Sequence, residues 1–258
     1  MRIAVKIGTS TLTHRTGRLN IRRVESLCKV LSDLKNAGHE IVLISSGAIG
    51  MGVGKMNLPG RPEDMPTKQA MAAVGQCELM YVYDKLFSEY HHTVAQILVT
   101  GEDLGSEPRH GNFTRTVLRL LELGALPIVN ENDTVATEEV AVGDNDTLGA
   151  LVAVSAGAEL YVILSDIDGL YTADPRTDPD AEVIPVVTEL TEEILAAGGG
   201  KGSSLGTGGM ATKLSAARIC MNAGLDMMIV NGADPARLYD AVERAPVGTL
   251  FTGRRKDE

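Results

Sequence analysis

The chain has 258 residues, 44% of them hydrophobic, and a formal net charge of −10. That is enough apolar material for a sizeable core and unlike a disordered composition, while the acidic balance disfavours nucleic acid and anionic membranes as partners. Aromatic residues make up only 3%, with no Trp, too few for a platform on which single-stranded bases stack.

Taken in chain order, Arg2–Ile7 is a short apolar run without strict alternation, the pattern of a strand covered on both faces. It ends in Lys6-Ile7-Gly8-Thr9-Ser10. An ammonium at the end of a buried strand is expensive unless a countercharge meets it, and Gly8 lets a ligand approach the backbone. A lysine snorkelling to water would look the same in sequence. Ile21, Val24, Leu27, Val30, Leu31 and Leu34 then recur at helical spacing, with Asn20 placed as N-cap and Gly38 as the stop. A strand over residues 40–44 runs into Ser45-Ser46-Gly47-Ala48-Ile49-Gly50, small residues at a helix start that could seat an anion or form only a tight turn.

A helix is expected over residues 68–87, a strand over Val94–Val99, a helix over 113–123 that stops at Gly124, and a strand over 126–129. Two polar clusters follow: Asn130-Glu131-Asn132-Asp133, then Gly143-Asp144-Asn145-Asp146-Thr147. Carboxylates meet an ammonium and amides meet a carboxylate, so the pair suits an amino-acid ligand. One Asp there could equally be the N-cap of a helix over residues 147–155.

A strand over residues 160–164 leads to Ser165-Asp166-Ile167-Asp168-Gly169, where acidic groups could meet ribose, adenine or a metal shell, or serve turn chemistry alone. Residues 171–187, rich in Asp and Pro, read as a surface excursion with a short hairpin. Gly206-Thr207-Gly208-Gly209-Met210-Ala211-Thr212-Lys213 opens a helix over Met210–Asn222. Glycines there admit phosphates, the helix start supplies a positive field, and Lys213 lies one turn in. The same glycines fit G-x-G-x-x-A, a weak match to a dinucleotide fingerprint, with no strand immediately before it. A strand over residues 227–230 and a helix over 235–243 complete the pattern, and residues 254–258 read as a frayed charged end.

Strand and helix thus alternate along the chain, which argues an α/β protein with a mainly parallel sheet. The polar loops follow strands, where open parallel sheets hold their ligands. Walker A, a protein-kinase catalytic loop, a nucleophile elbow and metal-ligand histidine spacing are all missing. Cys28, Cys77 and Cys220 are odd in number with no C-x-x-C spacing, against a disulfide framework or structural zinc. Met1 runs straight into a strand, and no apolar run approaches the ~20 residues that span a bilayer, so a cytoplasmic protein is expected.

Taken together, KIGTS, SSGAIG, KQAMAAVGQ, VNENDTV, GDNDTLGA, SDIDGLYTADPR and GTGGMATK resemble, in order, the motifs of the amino acid kinase family. The resemblance runs from Lys6 to Gly253 and is closest to the branch that phosphorylates the side-chain carboxylate of glutamate. Relatives acting on aspartate, acetylglutamate or UMP usually have a different first glycine loop and lack the NEND and GDND pair.

The resemblance implies a three-layer αβα sandwich of eight mainly parallel strands. It implies L-glutamate in an N-terminal lobe of about residues 1–154 and ATP with Mg2+ in a C-terminal lobe of about 155–258. It further implies the first step of proline synthesis, inhibition by proline, a homodimer or tetramer, and hand-over of product to glutamyl phosphate reductase. Carried over by motif, Lys6 and Lys213 stabilise the transferring phosphoryl group and Asp146 orients them. Ser46, Asp133 and Asn145 hold glutamate, with Gly47, Asn130 and Asp144 nearby. Lys6, Gly8, Ser165, Asp166, Thr207, Gly208, Gly209, Met210 and Lys213 hold ATP, whose phosphates carry most of the metal's ligands. Many members add a C-terminal PUA domain; the motifs here fill residues 1–258 as one kinase domain without it. A glutamate or proline sensor without catalysis is the alternative of another class, and it would have no use for both lysines.

Overall fold

The computed structural model describes residues 1–14, 16, 18–136, 145–198 and 209–253. β1 (Arg2–Ile7) leads through the short α1 (Thr9–Leu12) to α2 (Ile21–Asn36), β2 (Glu40–Ser45), α3 (Ala48–Lys55) and the long α4 (Met65–Ser88). Then come β3 (Val94–Val99), α5 (Gly101–Gly105), α6 (Glu107–Glu122), β4 (Leu126–Glu131), α7 (Asn145–Ser155) and β5 (Leu160–Ser165). The last elements are β6 (Val186–Val187), α8 (Glu192–Ala197), α9 (Met210–Asn222), β7 (Asp226–Asn231), α10 (Arg237–Val242) and β8 (Gly248–Phe251).

The described strands form one sheet in the order β3-β4-β2-β1-β5-β7-β8-β6, in which β7 and β8 pair antiparallel and the other neighbours parallel. From β1 the chain builds outward through β2, then returns past β1 to add β5 on its other side. Connections therefore diverge at β1, and a crevice opens there at the carboxyl ends of the strands. Ile7 pairs with Ser45 on one side and Leu164 on the other, so three strands end level around it.

Alternation divides the buried side chains between two layers. Ala4, Val42, Ile44, Val129, Tyr161 and Ile163 pack against α6, α7 and α9. Ile3, Val5, Ile7, Leu43, Ile128 and Val162 pack against α2, α4 and α10. Each fully buried Leu, Ile or Val contributes roughly 1.5–3 kcal/mol by leaving water, which makes this double-sided core the main source of stability.

Local chemistry explains where helices begin. Asn20 accepts from the Arg23 N–H at 3.3 Å and starts α2; Gly38, at φ 94°, ends it as expected. Asp64 accepts from the Thr67 N–H at 2.9 Å and Pro66 sits in the first turn, so α4 begins ahead of the expected residue 68. α6 starts at Glu107 rather than 113, because its first turns carry polar residues and burial begins only at Phe113. β8 and the edge strand β6 are too short to give a periodic signal, and the 171–187 excursion bridges Tyr171 to Val183 antiparallel. No described helix is long and apolar enough to cross a membrane.

α3, legible in sequence only as a helix start, is disfavoured by its own composition, since Gly50, Gly52 and Gly54 lower its propensity. Its glycines instead permit contact with α4. A Cβ on Gly75 would lie 1.7 Å from the Ala48 carbonyl oxygen, and one on Gly52 would lie 2.0 Å from that of Met71. Gly75→Ala must therefore push α3 off α4 and is expected to destabilise by about 1–3 kcal/mol, the usual range for overpacking. Urea unfolding checks this: the midpoint falls at an unchanged slope. A wild-type midpoint would show that α3 slides aside freely.

Candidate active site

The ends of β4, β2, β1 and β5 line one cavity of about 710 Å³, including Lys6, Gly8, Ser46, Gly47, Asn130, Asp133, Asn145, Ser165, Asp166 and Lys213. Four neighbouring strands at ~4.8 Å spacing make the wall roughly 14 Å wide. α3 and α7 begin on that wall, so first-turn N–H groups that no helical carbonyl can satisfy face the same space. Gly47 precedes α3 with φ 103°, a left-handed conformation that a side chain would strain.

Alternation sends the Lys6 side chain to the face of Ala4, where α7 and α9 pack. Asp146, in the first turn of α7, is fully buried there. Its Oδ1 lies 2.5 Å from Lys6 Nζ and its Oδ2 lies 3.1 Å from Lys213 Nζ. Thr212 donates its hydroxyl to the same Oδ2 at 2.9 Å, and Tyr161 donates to the Asp146 carbonyl at 3.0 Å. Burial is the largest influence on this carboxyl and acts to raise its pKa. The charges of Lys6 and Lys213, with their hydrogen bonds, outweigh it and hold the carboxyl below the ordinary Asp value. Two ammonium groups thus share one carboxylate, and the three side chains together carry a positive charge at the cavity wall.

On the β2–β4 side the polar groups are amides. Asn145 donates through Nδ2 to Ser46 Oγ at 2.8 Å and to Asn130 Oδ1 at 3.0 Å. Its own Oδ1 is buried without a hydrogen-bond partner among the described residues. Asp133 is pushed above the ordinary Asp value by desolvation, which the positive charge of Arg61 partly offsets. A carboxyl in that condition gains from an incoming ammonium, which restores the charged form.

On the β5 side, Ser165 and the exposed Asp166 line the cavity, and the Ser165 hydroxyl donates to Asp166 at 3.3 Å. Gly209 and Met210 begin α9 but do not line this cavity, whereas Lys213, one turn later, does. Asp144, Thr207 and Gly208 lie outside the described residues. The wall residue Glu131 belongs to the first polar cluster of the sequence, whereas neither Thr212 as a support of Asp146 nor Arg61 stands out there. A hydroxyl beside a lysine or a loop arginine carries no pattern of its own; only the folded neighbourhood selects it.

The model of the amino acid kinase family matches residues 1–231. The chain belongs to the amino acid kinase family. It is similar to the glutamate 5-kinase of Clostridium perfringens (strain 13 / Type A), 49% identical over 258 residues covering 98% of this chain and 96% of that one. It is also similar to the glutamate 5-kinase of Carboxydothermus hydrogenoformans, 51% identical over 258 residues covering 100% of this chain and 69% of that one. Among solved structures, carbamate kinase from Giardia lamblia bound to AMP-PNP superposes with a TM-score of 0.70 at 16% identity, covering 98% of both chains. UMP kinase from Ureaplasma parvum gives 0.66 at 13% identity, covering 97% of this chain and 98% of that one. These two likenesses concern the fold, and they agree with the eight-stranded, mainly parallel sheet. The enzyme is a kinase, and a pair of lysines on one buried aspartate is its most distinctive chemical feature.

Proposed function

We propose that this kinase transfers the γ-phosphoryl group of ATP to the side-chain carboxylate of L-glutamate, giving L-glutamyl 5-phosphate and ADP. One observation carries the proposal: the Lys6–Asp146–Lys213 cluster lies between an amide-rich wall with Asp133 and a wall bearing Ser165 and Asp166. Identities near 50% to glutamate 5-kinases over nearly the whole chain support the choice of acceptor.

In this reading Asp133 receives the substrate ammonium, and Ser46, Gly47, Asn130, Asp144 and Asn145 fix the rest of the amino acid. Gly8, Ser165 and Asp166 hold ATP with Lys6, Lys213 and residues 207–210. The glutamate-binding part is about residues 1–154 and the ATP-binding part about 155–258. Mg2+ would travel on the phosphate oxygens, since it takes oxygen ligands and keeps several waters. Asp166, exposed on the cavity wall, offers an oxygen ligand of that kind.

The chemistry asks little of a base. A glutamate carboxyl with pKa near ~4.3 is already ionised at neutral pH. An oxygen of that carboxylate bonds to the γ-phosphorus, the bond to the β-phosphate oxygen breaks, and ADP leaves. The barrier is the approach of one anion to another. Lys6 and Lys213 neutralise charge on the transferring group, and Asp146 keeps both ammonium groups aimed at one point. The wider reading places the reaction first in proline synthesis in the cytoplasm, under inhibition by proline. It also includes a homo-oligomeric enzyme that passes its labile acyl phosphate to glutamyl phosphate reductase.

ADP release with MgATP and glutamate, aspartate, acetylglutamate or UMP tests it, each with and without proline. Turnover with glutamate alone, suppressed by proline, is the expected result. Turnover with another acceptor would keep the lysine roles and overturn the glutamate site.

A further inference from the structure

We infer that Gln76 is a positioning residue that holds the acceptor-binding amide of Asn145 in place through Asn130; the inference rests on the glutamate reading above. Gln76 lies on α4, 9% exposed, and does not line the cavity. Asn130 donates its Nδ2 to Gln76 Oε1 at 2.9 Å, and Gln76 donates its Nε2 to Gln96 on β3 at 3.2 Å.

The polarity of this chain of amides is set at one point. The backbone N–H of Glu131 donates to Asn130 Oδ1 at 2.9 Å, and a backbone N–H can only donate. The oxygen end of Asn130 is therefore fixed, and its nitrogen end must face Gln76. The group of Asn145 that meets Asn130 Oδ1 must then be its Nδ2, which leaves the buried Oδ1 of Asn145 without a hydrogen-bond partner among the described residues. A buried acceptor left without a donor is costly, so the orientation in which Asn145 is held matters to any ligand that enters beside it.

Asn130 has its oxygen held by Glu131 and its nitrogen held by Gln76. Without Gln76 that nitrogen would be buried and unsatisfied, and Asn130 would turn to find a partner, taking its grip off Asn145. Gln76 follows Gly75, where α4 meets α3 most closely, so the KQAMAAVGQ segment acquires a function through its last residue.

Gln76→Met keeps the length of the side chain and removes the acceptor. It is expected to raise the glutamate KM about 10-fold, the scale of one lost buried hydrogen bond, with kcat and the ATP KM within about 2-fold. Asn145→Ala is expected to raise the glutamate KM more than the ATP KM, and Gln76→Met added to it to change little further. Gln76→Glu retains an accepting oxygen and is expected to return the glutamate KM to within about 3-fold of wild type. An unchanged KM in Gln76→Met, or the same increment in the Asn145→Ala background, would overturn the positioning role and leave the glutamate site standing. Equal weakening of both substrates by Asn145→Ala would overturn the substrate-side placement itself, and with it the inference. Should Gln76→Met not fold, a Gln76→Glu enzyme with a KM raised 10-fold would count against the acceptor role.

Discussion

Lys213→Ala lowers kcat by about 100-fold or more, the effect of removing one preorganised charge-stabilising donor, and leaves the fold intact. The fold survives because Asp146 keeps Lys6 on Oδ1 at 2.5 Å and the Thr212 hydroxyl on Oδ2 at 2.9 Å. What disappears is one of the two ammonium groups, and with it the net positive charge of the Lys6–Asp146–Lys213 cluster. In water that charge would matter little, but Lys213 is 5% exposed, and in a poorly solvated site each charge acts with less screening. The interaction is strongest where negative charge gathers in the transition state, so kcat falls more than either KM rises. Lys213→Met separates charge from packing, since it fills nearly the same slot without an ammonium. Equal losses in the Ala and Met variants are expected, measured as kcat on folded protein with matched melting temperatures. A Met variant near the wild-type rate would assign Lys213 to packing and remove it from the chemistry.

The sequence carried the fold where it carried periodicity. β1, β3 and α9 have the bounds expected from their apolar runs, and β2, β4, β5 and β7 extend them by one or two residues at their ends. Lys6 on β1 was legible because a charge at the end of an apolar strand has to be explained, and Lys213 on α9 because it lies one turn into a helix opened by glycines. Their meeting on one carboxylate was legible only through the resemblance, because residues 6, 146 and 213 belong to separate elements.

The rest was hidden for physical reasons. The start of α3 was legible, but its length contradicts its own propensity and depends on contact with α4, a tertiary override that no local window reveals. β8 is four residues long and β6 two, too short for a pattern of their own, and each is a strand only through its neighbours in the sheet. Gln76 is a polar residue among the buried positions of a helix that also has an exposed face, so its amide looks like any surface polar position until Asn130 is seen against it. Asp133 was legible as a carboxylate but not as one with a raised pKa, since desolvation is a property of the closed cavity.

Asp146→Asn is expected to destabilise the protein by about 3–5 kcal/mol at neutral pH, the range for breaking a buried ion pair from one side. The substituent keeps the shape of aspartate and an acceptor for one neighbour, so the loss is one of charge. Lys6 and Lys213, with side chains 9% and 6% exposed, are left as neighbouring cations without their shared countercharge. The pH dependence distinguishes this from a general defect. Asp146 has its pKa depressed in the folded protein, so its contribution is complete above the unfolded value near ~3.9 and is lost as pH falls through the lower folded value. The stability gap between wild type and variant should therefore hold steady from neutrality to about pH 5 and close in strong acid. Urea titrations of both proteins across that range measure it, and a gap that stayed constant into strong acid would mean that the aspartate acts by shape. Turnover should fall with the variant as well. Two repelling ammonium groups no longer converge on one point, and the transferring phosphoryl group then meets a charge of the right sign in the wrong place.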